Sequence, residues 1–266
     1  MTININKFKA NIGSDKVQYG IWNGLADTYA AEILGGAGFD FVLIDAEHGP
    51  FDLRTIILQL QALAIYDVTP IVRPPTGDPV IIKQLLDAGV QTLLVPMIES
   101  AAQAELMVKA MHYPPFGIRG VGTALARAAQ WNRVDNYFRD ANGQMSLIVQ
   151  VESVKGYEAL DDILEVEGID AVFIGPADLA GSMGYLGQPM HPEVIQAVKT
   201  GMEKIRKSGK AAGTLAVKKE LVDEYIASGA NIVGVGVDLV ILAKATRALA
   251  EQFKSDLKDI KSNTSY

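Results

Sequence analysis

The sequence predicts an α/β protein and, within that class, a (β/α)8 TIM barrel. Three observations support this prediction. Short apolar runs recur along the chain, a stretch with helical spacing follows each run, and about eight such pairs fill the 266 residues. A barrel of this kind takes about 250 residues, and no composition break or linker divides the chain, so we predict one domain over residues 1–266. A doubly wound open sheet is the alternative fold.

The N-terminal half contains four strand–helix pairs. Gly35-Gly36 ends the first helix, Asp52 is suited to cap the second, and Pro79 fits the first turn of the third. The predicted strands are residues 17–22, 39–45, 69–73 and 92–98, and the predicted helices are residues 24–36, 53–66, 79–87 and 101–111.

The C-terminal half resumes the same pattern after an insertion. Residues 113–142 are too long for a simple loop and too irregular for one helix, and within them only residues 134–141 fit a short helix. Long insertions in a regular fold are typical of lids or interfaces. The remaining predicted strands are residues 147–151, 171–175, 211–215 and 232–237, and the remaining helices are residues 155–165, 193–208, 217–228 and 239–253.

Composition argues against several classes of function. The net charge is −7 and the sequence pI about 5.0, so nucleic acid is not an expected partner, because phosphate binding needs clustered Lys and Arg. The absence of cysteine excludes disulfides, thiolate catalysis and cysteine-ligated metals. No apolar run reaches the ~18 residues of a membrane span, and residues 1–16 lack the apolar core of a signal peptide. We therefore expect a cytoplasmic protein without membrane contact, with a frayed polar tail over residues 254–266.

Two carboxylates interrupt buried strands near the middle of the chain. Glu152 follows the apolar run LIVQV, and Asp178 follows the run AVFIGPA. Because the carboxyl ends of the strands form the mouth of a barrel, the two acids could hold a hard divalent cation there, with water and substrate oxygens. Gln150 lies two residues before Glu152 and faces the same side. Each acid alone could equally cap a helix or pair with a lysine, but the two together favour a metal site.

His48 and Arg73 also follow predicted strands. His48 comes after Asp45 and Glu47, and a nearby carboxylate would raise its basicity and suit it as a general base. Arg73 precedes two prolines that stiffen its loop, which makes it a candidate clamp on an enolate or carboxylate oxygen. A structural ion pair of Arg73 fits the local sequence equally well.

Three further positions complete the candidate mouth, and one further acid lies outside it. Trp22 and Leu215 lie at the ends of the first and seventh strands. The turn that contains Ala177 and Asp178 could direct free N–H groups at a substrate carboxylate, although a simple strand–helix turn explains it as well. Asp87, taken alone, is a solvated acid near a helix end.

Several strings of this sequence together resemble the HpcH/HpaI class II pyruvate aldolases. The resemblance covers about Tyr19 to Phe253 and is carried by DFVLIDAEHGPFD, PIVRPP, KQLLDAGVQTLLVPMIES, YPPFGIRGVGTALARAAQWNR and VQVES with VEGIDAVFIGPADLAGSMG. It implies a barrel of the phosphoenolpyruvate/pyruvate type in a homo-oligomer, a hexamer built as a trimer of dimers, with the last helix exchanged between subunits. It also implies a divalent metal (Mg2+, Mn2+ or Co2+) on Glu152 and Asp178.

The resemblance further implies reversible cleavage of a 4-hydroxy-2-oxo acid, such as 4-hydroxy-2-oxoheptanedioate, to pyruvate and an aldehyde. Aldolases of 2-dehydro-3-deoxy sugar acids, of the glucarate or rhamnonate type, share most of these strings and are the alternative. A non-aldolase lyase that uses a magnesium enolate is a third reading, which the missing cysteine disfavours. A non-catalytic binding barrel would require the strand-end acids to be structural.

The resemblance also implies roles for individual residues, and for Asp87 the implied role reverses the local interpretation. Asp87 matches the acid that raises the basicity of the catalytic histidine. In the other implied roles, His48 is the base, Arg73 stabilises the pyruvate enolate, the backbone at Ala177 and Asp178 binds the pyruvate carboxylate, Gln150 contacts pyruvate, and Trp22 and Leu215 with the insertion shape the aldehyde pocket.

Overall fold

The computed structural model of the chain describes residues 1–14 and 16–254, and over these residues it forms a closed barrel of eight parallel strands that pair in chain order. The predicted (β/α)8 barrel is therefore confirmed, and the alternative of an open sheet is wrong. The predicted fraying of the tail falls almost entirely on residues 255–266, which lie outside the described part.

All eight predicted strands are present. The strands are β1 Gln18–Asn23, β2 Phe41–Asp45, β3 Thr69–Arg73, β4 Thr92–Val95, β5 Ser146–Val151, β6 Ala171–Ile174, β7 Ala211–Leu215 and β8 Ile232–Val237. The largest difference from prediction is at β4, which ends three residues early. Pro96 has no N–H to continue the ladder, and Met97 has a positive φ of 56° that turns the chain.

The longer helices lie where the sequence pattern predicts them, and the differences from prediction are in the short helices. They are α1 Lys7–Ile12, α2 Thr28–Gly35, α3 Leu53–Leu63, α4 Pro79–Ala88, α5 Ala101–Met111, α6 Tyr137–Gln144, α7 Val154–Glu158, α8 Leu160–Leu164, α9 Pro176–Ser182, α10 Pro192–Lys207, α11 Lys219–Ala227 and α12 Asp238–Phe253. Asp52 caps α3 as predicted, by accepting the N–H of Thr55. The helix predicted over 155–165 is instead two helices, α7 and α8, that meet at Ala159.

Alternation along the strands divides the core into two layers. Leu43 and Ile71 face the barrel interior, where Phe8 and Ile12 of α1 pack against the same cluster. The residues that alternate with the inward-facing ones along each strand point outward and pack against the surrounding helices. Because side chains alternate with period two, the same rule decides which residue at each strand end faces the mouth.

Three strand ends illustrate this rule. The inward series of β2 runs from Leu43 to Asp45, that of β3 from Ile71 to Arg73, and that of β5 from Ile148 to Gln150. Asp45 and Arg73 are paired in register across β2 and β3. The strands thus change from apolar to polar at one end of the barrel, and the polar ends meet there.

The last helix is the least covered part of the described fold. In α12 only Asp238 is buried, whereas Leu239, Ile241, Leu242 and Leu249 are exposed. Exchange of α12 between subunits, and the hexamer, remain predictions. No helix within residues 1–14 and 16–254 combines the length and apolar character that a membrane crossing requires.

Candidate active site

A cleft of about 560 Å³ opens at the carboxyl ends of the strands. Cavities of this size are typical of small-molecule sites. Seven of the predicted site residues line it: Trp22, His48, Arg73, Gln150, Ala177, Asp178 and Leu215. Glu152 lies directly behind Gln150, and Asp87 lies elsewhere in the fold.

Glu152 is buried behind the mouth of the barrel. Its side chain accepts hydrogen bonds from the Met97 N–H at 2.9 Å and from the Gln150 amide. Burial, together with the charges of Asp178 and Glu47, raises the pKa of the Glu152 carboxyl to about 7 although both hydrogen bonds favour the ionised form. Asp178 and Glu47 bear the same sign of charge as Glu152, and Arg73, whose charge also interacts with Glu152, is already engaged by Asp45 and Glu47.

Gly175 makes room for this pair of side chains. A Cβ at this position would lie 2.6 Å from Glu152 Oε2 and 2.9 Å from Gln150 Nε2. Such distances are far below van der Waals contact, so a larger residue would displace the carboxylate or the amide. The Gly-Pro that ends the sixth apolar run is therefore part of the site as well as a strand stop.

Asp178 lies in the first turn of α9, which begins at Pro176, directly after its N-cap residue Gly175. No side chain caps this helix, so the N–H groups of its first turn stay free beside the cleft. Asp178 itself is exposed to the cleft, and its charge raises the pKa of both Glu152 and Glu47. The predicted partners, Glu152 and Asp178, thus occupy one site.

Arg73 is held by two acids of the β2 end. Its Nε and Nη2 donate to the two Asp45 oxygens at 2.9 and 2.6 Å, and Nη1 lies 2.9 Å from Glu47 Oε2. Burial by itself would lower the pKa of the guanidinium, but Asp45 and Glu47 raise it, so Arg73 stays charged. A bidentate pair of this kind fixes the plane of the guanidinium.

Of the two acids that precede His48, it is Glu47 and not Asp45 whose side chain lies near the His48 ring. Asp45 binds Arg73 and accepts only backbone N–H groups from Glu47 and His48. The His48 ring is two-thirds exposed, and its Nε2 lies 3.8 Å from Glu47 Oε2. The ring therefore faces the open cleft with Glu47 as its acidic neighbour.

Glu47 is the site residue that sequence reasoning undervalued. Its Oε2 is buried and accepts no aligned hydrogen bond, although Arg73 and His48 lie near it. Burial raises the pKa of Glu47, against the lowering charges of Arg73 and His48. Its position two residues past the end of the buried strand β2, and directly before His48, was the available signal.

Asp87 is not brought to His48 within one chain. It lies next to the end of α4, and the chain then enters β4, so Asp87 is at the opposite end of the barrel from the mouth. There it pairs at 2.9 Å with Arg119, a fully buried residue of the insertion whose guanidinium also lies 4.3 Å from the centre of the Tyr113 ring. The role implied for Asp87 therefore has no support in this single chain.

Trp22 and Leu215 form an apolar wall of the cleft. The Trp22 ring is buried and packs against Phe173 with ring centroids 5.6 Å apart. Gly234 leaves the space for both side chains, since a Cβ there would meet Trp22 at 2.2 Å and Leu215 at 2.8 Å. This apolar wall lines the same cleft as the acids, and it is suited to the less polar half of a substrate.

The acids of the mouth fit a divalent metal that is held by few protein ligands. Glu152 is buried beside like charges, and Glu47 has a buried oxygen without an aligned partner. Within the described residues, no three His, Cys, Asp or Glu side chains are grouped so that they could hold a metal by themselves. Two carboxylates that leave room for water and substrate oxygens are the usual arrangement for Mg2+.

Comparison with known proteins assigns this barrel and its acidic mouth to a family. The chain matches the family described as HpcH/HpaI aldolase/citrate lyase over residues 18–245, and it belongs to that family. It is 51% identical over 256 residues to a 4-hydroxy-2-oxo-heptane-1,7-dioate aldolase of Escherichia coli, over 96% of this chain and 98% of that protein. It is 52% identical over 254 residues to a hydroxypyruvate/pyruvate aldolase of Pseudomonas aeruginosa, over 96% and 95%.

A solved structure supports the same assignment. An HpcH/HpaI aldolase/citrate lyase family protein of Burkholderia cenocepacia superposes with a TM-score of 0.89 at 36% identity, over 93% of this chain and 98% of that chain. The predicted family, and the predicted carbon–carbon lyase of the pyruvate aldolase type, are therefore confirmed.

Proposed function

We propose that this protein is a metal-dependent class II aldolase that reversibly cleaves a 4-hydroxy-2-oxo acid to pyruvate and an aldehyde. The proposal is carried by one observation: the buried Glu152 and the exposed Asp178 interact across the barrel mouth that also holds the charged Arg73. Converging carboxylates attract a cation, and an arginine beside them is suited to an oxyanion that develops in the reaction. The names of the relatives in Escherichia coli and Pseudomonas aeruginosa support this reaction.

Glu152 and Asp178 would hold the metal, for which Mg2+, Mn2+ and Co2+ are the candidates. When bound, the metal acts as a Lewis acid that draws electrons from the 2-oxo group of the substrate. Gln150 and the free N–H groups at Ala177 and Asp178 would orient the pyruvate half. Two observations support this role for Gln150: its side chain lines the cleft, and its amide also donates to Glu152.

His48 and Arg73 would carry the proton and charge changes. His48 takes the proton of the 4-hydroxyl group while the C3–C4 bond breaks, and the aldehyde leaves with its new carbonyl. The electron pair of that bond forms the enolate of pyruvate, whose oxygen the Arg73 guanidinium stabilises. Protonation at C3 then yields pyruvate. The exposure of the His48 ring in the cleft and its acidic neighbour Glu47 support the role of base.

A role for Asp87 in this chemistry requires a second subunit. Because Asp87 of the same chain lies at the other end of the barrel, only Asp87 of a neighbouring chain in the proposed hexamer could reach His48. The exposed apolar residues of α12 and of the insertion, such as Leu242, Phe116 and Leu125, are consistent with further subunit contacts. Sedimentation velocity of the purified protein would test the hexamer.

Two alternatives remain for the substrate. A donor other than pyruvate is suggested by the hydroxypyruvate/pyruvate aldolase that is 52% identical. A 2-dehydro-3-deoxy sugar acid would use the same chemistry with a more polar aldehyde. We further propose that the protein acts in the cytoplasm on small molecules and binds neither nucleic acid nor membranes.

A coupled assay of pyruvate release tests the proposal. The purified protein would be given 4-hydroxy-2-oxoheptanedioate or a 2-dehydro-3-deoxy sugar acid, each with Mg2+, Mn2+ or Co2+. Consumption of hydroxypyruvate in the presence of an aldehyde would be followed separately, because that condensation releases no pyruvate. We expect release of pyruvate from a 4-hydroxy-2-oxo acid with metal, and its loss in EDTA. Full activity in EDTA would contradict the metal role, and no cleavage of any substrate would contradict the aldolase reaction.

A further inference from the structure

The turn that follows β4 has an unusual backbone. Met97 has a φ of 56°, in the left-handed region, which is disfavoured for a residue with a side chain because its Cβ crowds the next carbonyl oxygen. The other described residues that combine a side chain with a positive φ all lie in the insertion: Gln130, Trp131, Asn132 and Asn136. Within the described chain, Met97 is therefore the one such residue at a strand end of the barrel.

This conformation directs the Met97 N–H away from the sheet and onto Glu152. The contact between β4 and β5 is interrupted at Pro96, which has no N–H, and it resumes at Ile98, whose N–H donates to the Gln150 carbonyl at 3.0 Å. Met97 lies between these two residues, and its N–H donates instead to Glu152 Oε1 at 2.9 Å. A bulge that redirects a group in this way is typical of strand ends next to active sites.

The orientation of Glu152 depends on this hydrogen bond. The carboxylate is buried, and within the described residues it accepts from two groups only, the Met97 N–H and the Gln150 side-chain amide. The Gln150 amide is carried by rotatable bonds, whereas a backbone N–H in a fixed turn keeps its direction. A metal ligand that is held by such a partner has its orientation set before the metal binds.

The Met97 side chain has no comparable role. It is about half exposed, and the described lining of the cleft does not include it. The site therefore uses the backbone conformation of Met97 and not its thioether.

The surrounding structure holds the turn in place. A Cβ at Gly156 of α7 would lie 2.7 Å from the Ile98 carbonyl oxygen, so this helix packs directly on the turn. Glu99 accepts the Ser153 hydroxyl at 2.7 Å, and Ser153 is the N-cap residue of α7. A strained residue such as Met97 persists when its surroundings determine its conformation. The turn after β4 and the start of α7 thus form one packed unit.

We propose that Met97 is a positioning residue that orients Glu152 for the metal through its backbone N–H. The left-handed conformation is the requirement, so this position should accept residues that adopt it and reject those that resist it. Glycine adopts it without steric cost, and β-branched residues resist it most. This inference rests on the proposed metal site and adds to it a residue whose side chain lies outside the cleft.

Titrations with Mn2+, followed by electron paramagnetic resonance, would compare wild type with three variants at a temperature where circular dichroism confirms a folded protein. We expect Met97→Leu and Met97→Gly to bind Mn2+ within about threefold of wild type. Met97→Val should bind it about ten- to a hundredfold more weakly, the usual cost of losing a partner that orients a metal ligand. If the side chain mattered instead, Met97→Gly would be the most damaging change. Wild-type affinity in Met97→Val, or equal losses in Met97→Gly and Met97→Val, would overturn the proposal.

Leu106 is the matched control, because it is an apolar residue of similar exposure that lies in the regular helix α5. Leu106→Gly should lower the melting temperature more than Leu106→Val, since glycine is the poorer helix former, whereas glycine should be the better tolerated of the two at Met97. Neither Leu106 variant should change the affinity for Mn2+. A loss of affinity in Leu106→Gly as large as that in Met97→Val would assign the effect to general destabilisation and overturn the proposal.

A measurement without metal separates this inference from the proposed reaction. The eight methionines would be labelled with nitrogen-15, and the Met97 amide resonance would be identified in EDTA by its absence from Met97→Leu. We expect Glu152→Gln to shift this resonance more than any other methionine amide, because its N–H loses a charged acceptor. An unshifted Met97 resonance would overturn the inference even if the wild-type protein bound Mn2+ and released pyruvate. A shifted resonance in a protein that bound no Mn2+ would confirm the hydrogen bond and contradict the proposed metal site.

Discussion

The two ends of the barrel each hold a buried arginine, and they differ in the acids around it. At the far end, Arg119 pairs with Asp87 and lies over the Tyr113 ring, so one positive charge meets one negative charge. At the mouth, the charge of Arg73 interacts with three carboxylates, those of Asp45, Glu47 and Glu152, and a fourth, Asp178, adds to the negative charge on Glu47 and Glu152, whose pKa values are raised.

This difference in charge balance distinguishes a structural ion pair from a site. A balanced buried pair satisfies itself and needs no ligand, whereas an excess of buried carboxylates disfavours the folded state until a cation joins them. The comparison predicts that changes at the mouth act mainly on activity and metal binding, while changes at the far end act mainly on stability.

The largest effect should follow loss of Glu152. Glu152→Ala and Glu152→Gln should each lower kcat/KM by at least about a thousandfold, because a Lewis acid contributes several kcal/mol to the barrier. The melting temperature without metal should not fall for Glu152→Gln, since a neutral amide removes a carboxylate next to Asp178 and Glu47. Coupled kinetics and calorimetry would measure both, and full activity of Glu152→Gln would contradict the ligand role.

Arg73→Ala should have the next largest effect on activity. Removal of one oxyanion donor lowers kcat by about 10²–10³-fold. The variant also leaves Asp45 and Glu47 without their counter-ion, so its rates should be measured at a temperature where circular dichroism confirms a folded protein. Arg73→Lys keeps the charge but loses the bidentate geometry, and an activity equal to wild type in that variant would mean that Arg73 serves as a charge only.

Arg119→Ala tests the other arginine and should act on stability. It removes one partner of a pair whose arginine is fully buried, which costs about 3 kcal/mol of the free energy of unfolding. Arg139→Ala is the matched control in the same insertion, because its pair with Asp140 is largely exposed and should contribute little to stability. Denaturant unfolding at one protein concentration would compare the two variants. Equal losses in the free energy of unfolding would contradict the assignment of Arg119 and Asp87 as a stabilising structural pair.

The sequence predicted the barrel well because its strands are encoded locally. Apolar runs bounded by Gly and Pro located β3, β7 and β8 to the residue, and period-two alternation identified Gln150 as facing the mouth. The short helix α1 was missed because its local signals are weak. Asn6 caps it, and Phe8 and Ile12 stand at helical spacing, but six residues are too few for periodicity to identify a helix, which is fixed by packing of these two side chains into the barrel.

The site was predicted less completely than the fold, for a related reason. Glu152 and Asp178 are each marked by the strand they interrupt. The pairing of Asp45 with Arg73 depends on the register between β2 and β3, which the sequence does not display, so the sequence left open whether Asp45 or Glu47 lies beside His48. Asp87 is more instructive, because the family resemblance implies a role for a residue without indicating which subunit supplies it.

The smallest predicted effect is a dependence of metal affinity on pH. The pKa of Glu152 is about 7, so at pH 6 about nine-tenths of this carboxyl is protonated and at pH 8 about nine-tenths is ionised. The affinity for Mn2+ should therefore rise about tenfold between these pH values and level off above them. Electron paramagnetic resonance of Mn2+ titrations would measure it, and Glu152→Gln should bind weakly with no such rise.

Without metal, the stability of the folded protein should fall as the pH rises, whereas the affinity for the metal rises. Since the pKa of Glu152 is raised on folding, the folded state binds the proton more tightly than the unfolded state, whose ordinary value is 4.5. The contribution of this group to stability is complete below about pH 4.5 and is lost as the pH rises through about 7. Mn2+ should restore the lost stability at pH 8 by mass action. A melting temperature in EDTA that shows the same pH dependence in wild type and Glu152→Gln would mean that Glu152 does not titrate in this range, and the surplus of negative charge at the mouth would then have to reside on Glu47 and Asp178.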